Sequence, residues 1–184
     1  MKIRNKSILC GLLMIALLSA CSSTTTNFEG IAMDEHQFRN SDMGNSVAQV
    51  MAAEKGIFSE EITADSEEGR NYFVEGTNGT VLSYTDTNVA GHNVRIMYVF
   101  LEEELIGAVM AFDALYSKQL YLQLSDYFLS KLPAPAENPP HSANIDIAES
   151  QFWEIDGVNF RLLLSDNNQV MIEVATTRYF DQLF

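Results

Sequence analysis

Two stretches of this chain leave little choice of local structure. Val94, Ile96, Tyr98 and Phe100 recur at every second position, and so do Phe160, Leu162 and Leu164, then Val170, Ile172 and Val174. Side chains along a strand point alternately to its two faces, so a period of two gives each strand one apolar face that needs a core. Turn chemistry separates the runs. Glu102-Glu103 stands between residues 94–100 and a returning strand at 104–112. Asp156-Gly157 is a type I′ signal, and Asp166-Asn167-Asn168 turns the last hairpin. A chain of such hairpins makes an antiparallel sheet, and helices must cover its apolar face.

Two helices are predicted. Ser46-Val47-Ala48-Gln49 reads as a capping box that opens a short helix over 46–55, stopped by Gly56. Val47, Val50 and Met51 share one face of it. Asp113 is placed to cap the second helix, where Leu120, Tyr121, Leu124, Tyr127 and Phe128 form an apolar stripe. Lys131-Leu132-Pro133 ends that helix, and PAPAENPP (133–140) is a stiff, exposed connector. The acidic stretch 59–70 reads as a loop. Residues 72–77 and 80–87 flank Asn78-Gly79 and read as a further type I′ hairpin. The three closing strands are predicted at 151–155, 158–165 and 169–177. The fold class is therefore α+β, an antiparallel sheet of about six strands with two helices on one face. Shifting residues 94–116 by 64 lays them on 158–180, turn on turn, although only Val94/Val158 and Ala111/Ala175 are identical. That pattern is compatible with tandem αβββ units at 41–112 and 113–184.

The start of the chain has a different character. Lys2, Arg4 and Lys6 precede an apolar or small run, residues 8–20. A bilayer span needs about 20 such residues, so this run suits a signal peptide rather than a membrane helix. It ends in Leu18-Ser19-Ala20-Cys21, which resembles the lipobox of bacterial lipoproteins. The resemblance implies that Cys21 carries a diacylglycerol thioether, that the chain is cut before it, and that lipid anchors the rest. Residues 1–20 are then the signal peptide, 21–40 a flexible tether opening with SSTTTN, and 41–184 one domain. Ser22 is not the Asp that marks inner-membrane retention in many Gram-negative lipoproteins. The expected location is the cell envelope on the extracytoplasmic side: the outer membrane in a Gram-negative host, otherwise the outer face of the cell membrane.

Removing residues 1–20 takes Lys2, Arg4 and Lys6 from the 11 Lys and Arg and none of the 25 Asp and Glu, which leaves a formal charge of −17. Nucleic-acid binding is built on Lys and Arg, so it is excluded as a function class. Cys10 leaves with the signal peptide and Cys21 is consumed by lipid. No thiol remains for a disulfide, a metal site or catalysis.

Few residues carry the spacing that catalysis or metal binding needs. His36, His92 and His141 are scattered, and no HxH or HxxxH occurs. G-x-S-x-G, Walker and dinucleotide fingerprints are absent. Glu60, Glu61, Asp65, Glu67 and Glu68 lack the order of an EF-hand and read as a solvated loop. No catalytic residue, metal ligand or cofactor is assigned. The C-terminal RYFDQLF places Tyr179, Phe180 and Phe184 at the chain end, where they either fold back onto the sheet or serve as partner-binding anchors.

The stretch 38–132, with MGNSVAQVMAAEKG, LSYTDTNVAGHNVRIMYVFLEEELIGAVMAF and YLQLSDYFLSKL, resembles uncharacterised bacterial envelope lipoprotein domains. In architecture it also resembles SmpA/OmlA outer-membrane assembly lipoproteins and the β-lactamase-inhibitor-protein fold. These resemblances imply a non-enzymatic interaction or assembly role with an envelope protein partner. The alternative is a lipoprotein that binds a small ligand or cation.

Overall fold

A computed structural model describes residues 28, 31, 33–34, 37–71, 73, 76–89, 91–137 and 146–184. The signal-peptide and lipobox expectations, Cys21 included, lie outside these residues, as do His36, His141 and Tyr72. The class is α+β. Seven antiparallel strands, one more than expected, form the main sheet: β4 (Ile57–Thr63), β5 (Gly79–Val89), β6 (His92–Leu101), β7 (Glu104–Asp113), β8 (Ile147–Ile155), β9 (Val158–Ser165) and β10 (Val170–Thr176). Their order across the sheet is β4-β5-β6-β7-β10-β9-β8. A small second sheet precedes it, made of β1 (Met33–Asp34), β2 (Gln37–Phe38) and β3 (Ser41–Asp42).

The alternating runs do what their period dictates. Ile96, Tyr98, Leu162, Ile172 and Val174 enter one core with Val50 of helix α1 (Val47–Ala53) and Leu120, Tyr121, Leu124 and Phe128 of helix α2 (Ser117–Leu129). The opposite face is also apolar. Val99, Ile106, Val109, Leu163, Met171 and Ala175 lie there, and a third helix, α3 (Phe180–Leu183), packs on part of it. Two faces are buried because the intervening positions are themselves largely apolar, which a period-two reading of one face overlooks.

Both halves repeat one register. Val94 pairs with Phe112, Ile96 with Met110 and Tyr98 with Ala108. A shift of 64 residues turns these into Val158 with Thr176, Phe160 with Val174 and Leu162 with Ile172, all of which pair. Val109 and Glu173, also 64 apart, face each other across the central β7–β10 ladder.

Several expectations need correction. Residues 59–70 were expected as a loop, but β4 runs through Thr63 and pairs with β5. It escapes a pattern reading because it is an edge strand on which only Ile62 is buried. The hairpin at Asn78-Gly79 does not form. Gly79 opens β5, whose partners are β4 and β6, and Asn78 instead accepts the Glu102 amide at 2.8 Å. A Cβ on Gly79 would stand 2.4 Å from the Phe73 ring, so this glycine serves close packing rather than a left-handed turn. Asp113 ends β7 and caps nothing. α2 begins after Tyr116 without a side-chain cap. The capping box of α1 is present, with Ser46 N donating to Gln49 Oε1 at 2.8 Å and Gln49 N to Ser46 Oγ at 3.3 Å. That helix stops at Ala53 rather than Lys55, because the Glu54 carboxylate captures the next two backbone amides. Finally, the folded body reaches back past the expected boundary at residue 41. Phe28, Ile31 and Phe38 are buried in the main core.

The expected turns elsewhere are real. Asp156 and Gly157 have φ of 47° and 83°, and Glu102 and Glu103 have 51° and 68°. Both pairs are two-residue loops of the type I′ kind. Residues 133–137 of the connector run beside β8, with the Ala136 amide on the Phe152 carbonyl.

Candidate functional site

Charge is buried at two places, and neither was read from the sequence. The first joins four segments. Arg39 sits in the β2–β3 turn with a left-handed φ of 59°, which aims its guanidinium inward. It donates through Nε to Glu54 Oε2 at 3.1 Å, and through Nη2 to Glu54 Oε1 and Asp86 Oδ2 at 3.0 Å each. The Glu54 side chain is 0% exposed. It also accepts the Tyr98 hydroxyl and the Lys55 and Gly56 amides. Burial alone would raise this carboxyl, but the Tyr98 hydroxyl, the Gly56 amide and Arg39 outweigh it and hold it below its ordinary range. Burial, then the Glu54 charge, push the Tyr98 phenol far above its ordinary value. Five donors converge on a group with about four lone-pair sites. Glu54 has no lone pair left for a substrate proton, so this cluster is built to hold α1 and the small sheet on the main sheet.

The second is Arg161 with Glu173, a cross-strand pair at 2.5 Å on the opposite face. Burial raises the Glu173 carboxyl in spite of Arg161 beside it. The Arg161 guanidinium lies 5.1 Å from the Phe180 ring centroid, and Phe180 stacks edge-on between Phe152 at 5.4 Å and Phe184 at 5.2 Å. α3 thus closes over the pair.

These contacts decide where the C-terminal aromatics go. The segment folds back onto the sheet. Phe180 is 1% exposed, which removes it as an anchor for a partner, while Tyr179 and Phe184 are half-buried. Tyr179, Phe73, Leu101, Ile106 and Leu183 line a small apolar cavity of about 190 Å³. A wider, open groove of about 810 Å³ lies at the head of α2, between Leu115, Tyr116, Lys118, Leu122 and the β9–β10 turn at Asn167 and Asn168.

His92 is half-buried and edge-on to Phe112 at 6.3 Å. Glu60 and Glu61 are exposed on β4, and Asp65, Glu67 and Glu68 are exposed beyond it. Among the described residues, no group of three or more His, Cys, Asp or Glu stands close enough to hold a metal ion. None of the described helices is long and apolar enough to cross a membrane.

The outer edge of β4 is the other accessible feature. Among the described residues, no strand pairs with it, and Ile57 and Phe58 are exposed on it, as is Met51 of α1. No protein-family model, characterised protein or solved structure matches the chain.

Proposed function

We propose that the chain is an envelope lipoprotein, acylated on Cys21, whose acidic domain is a non-enzymatic interaction or assembly module. The observation that carries the reading is Leu18-Ser19-Ala20-Cys21, directly after a run too short to span a bilayer and directly before SSTTTN. Two or three acyl chains hold a protein on a membrane stably, where one does so only marginally. Phe28 is the first described residue in the core, and six residues, 22–27, stand between it and Cys21 in the sequence.

The partner surface we infer is the β4 edge. Helices and the C-terminal segment lie on both sheet faces, so a partner on a sheet face would compete with them. An edge strand with open N–H and C=O groups can be extended by a strand of another protein. Ile57 and Phe58 would supply the apolar contacts, and the acids Glu60 and Glu61 favour a basic partner segment. The saturated state of Glu54 and the closed state of Glu173 favour binding over catalysis. The equal registers in the two halves favour a tandem αβββ duplication as the origin of the sheet, with β4 added in the first unit.

Mass spectrometry of the membrane fraction tests the anchor. A diacylglyceryl mass on an N-terminal Cys21 is expected, and Cys21→Ser should abolish both the mass and the cleavage. A photo-crosslinker at Ser59 tests the partner edge. One discrete adduct from intact envelopes is expected, with none from the same group at Glu103. A second reading, small-ligand binding, is favoured only by the cavity beside Tyr179. A ligand-induced thermal shift that Ile106→Trp removes, with no crosslinked protein, would select it.

A further inference from the structure

The exposed apolar residues of the described chain fall into two groups. One is Met51, Ile57 and Phe58, in which Glu60 and Glu61 follow along the same strand. The other covers α2 and the turn that leads into it. Leu115 is 97% exposed, Tyr116 76%, Leu122 49% and Leu129 46%. Leu122 and Leu129 are seven residues apart, so they fall nearly in line along the outer side of a helix about 20 Å long, and Leu115 and Tyr116 lie in the turn just before it, beside the same groove as Leu122.

The charge around this line is unlike the rest of the protein. Residues 114–132 hold Lys118 and Lys131 against one acid, Asp126, in a mature chain of net charge −17. These are two of the three lysines left after residue 20, and they stand at the two ends of the helix. Lys118 reaches Glu149 of β8 and is half-exposed. Long cations flanking an apolar helix face, with a tyrosine beside it, match the layering of a membrane interface. The rest of the acidic surface is repelled from anionic headgroups.

The covalent path points to the same side. Phe28 is buried against Tyr127 of α2, with ring centroids 5.1 Å apart. Seven residues of extended chain reach at most about 25 Å. Acyl chains on Cys21 therefore hold α2 close to the bilayer. We propose that the outer face of α2, with Leu122 and Leu129, and the Leu115-Tyr116 turn that leads into it lie on the lipid surface. This docking rests on acylation of Cys21. It leaves the β4 edge clear, because α2 packs on β9 and β10 and β4 is the far edge of the sheet.

The test uses the mature, acylated protein in phosphatidylcholine vesicles, with a nitroxide on Leu122→Cys and, as control, on Gln182→Cys of α3, an exposed site beyond the opposite sheet face. Collision rates with oxygen, which partitions into lipid, and with a water-soluble nickel chelate are measured at both sites. The expected result is an oxygen-to-nickel ratio several-fold higher at Leu122 than at Gln182, with circular dichroism unchanged from wild type. Equal nickel access at the two sites would overturn the proposal. Protection of Leu122 from both reagents would also overturn it, because a protein would then cover the face. Vesicles that fail to carry wild-type protein, together with a Cys21 lacking acyl mass, would overturn the lipoprotein reading and the docking with it.

Discussion

Glu54→Gln is the sharpest perturbation the structure offers. The substitution keeps the shape of the side chain and removes its charge. Each carboxylate oxygen faces at least two donors, so whichever becomes the amide nitrogen meets hydrogens. If Oε2 is replaced, Arg39 Nε loses its acceptor and the Tyr98 hydroxyl must reverse. If Oε1 is replaced, Arg39 Nη2 and two backbone amides lose theirs. In both cases the Arg39 charge, 6% exposed, loses its fully buried counter-ion, while Asp86, which it also bonds, is 27% exposed and lies nearer water. Breaking a buried pair in this way costs about 3–5 kcal/mol, roughly a fifth or more of a typical domain stability of ~5–15 kcal/mol. For a domain of this size that corresponds to a Tm lower by roughly 10 °C. The pH dependence adds a second readout. The folded Glu54 carboxyl lies below its ordinary 4.5. Its contribution is therefore present above the unfolded value and fades as pH falls through the folded one. The stability gap between wild type and Glu54→Gln should be constant near neutrality and shrink in acid. Thermal and urea unfolding at several pH values, with exposed Glu60→Gln as a control expected within about 0.5 kcal/mol of wild type, measure it. A Tm within 2 °C of wild type, or a gap independent of pH down to acid, would refute the account of the cluster.

Glu173→Leu should cost about 3–5 kcal/mol by leaving Arg161 buried without its carboxylate, whereas Arg161→Met with Glu173→Leu should recover most or all of it; a double-mutant cycle by urea unfolding reads the difference. The folded Glu173 carboxyl lies above its ordinary value, so wild type should lose stability as pH rises from that value through the folded one, a decline the double variant lacks. Phe180→Ala should lower stability by ~3–5 kcal/mol, because Phe180 fills the space between Phe152, Phe184 and Arg161, and limited proteolysis should then release the C-terminal segment first. Glu103→Gly should raise stability by about 0.5–1 kcal/mol, since residue 103 holds φ of 68° that glycine adopts without a Cβ clash; an unchanged or lower Tm would count against strain in that turn.

Which features could be read in advance follows from how local their causes are. The β6–β7 and β9–β10 hairpins were legible because alternation and turn residues lie within twenty positions of each other. Asp156-Gly157 succeeded as a turn because both residues take left-handed backbone there. Asn78-Gly79 carries an equally good signal and failed, because Phe73 needed a residue without a Cβ beneath its ring and β4 was available as a partner. The Arg161–Glu173 pair was within reach of a closer reading: a hairpin closed at Asp166-Asn167-Asn168 sets them opposite each other, two unlike charges inside apolar strands. The Arg39–Glu54–Asp86–Tyr98 cluster was not. Its members come from four segments spread over sixty residues, and only a turn residue with positive φ brings Arg39 to them.

Taken alone, the order of residues determines the α+β class, the main hairpins, the apolar stripe of α2 and the acidic charge of the body. Each of these comes from periodicity or from composition, which neighbours along the chain settle among themselves. Packing decided the rest: that β4 joins the sheet, that Phe28 and Ile31 belong to the core, that RYFDQLF folds onto the second face, and that Leu115 and Leu122 stay outside. Burial is a property of what lies opposite a side chain in space, and contacts between distant segments form only when the whole sheet has closed around them.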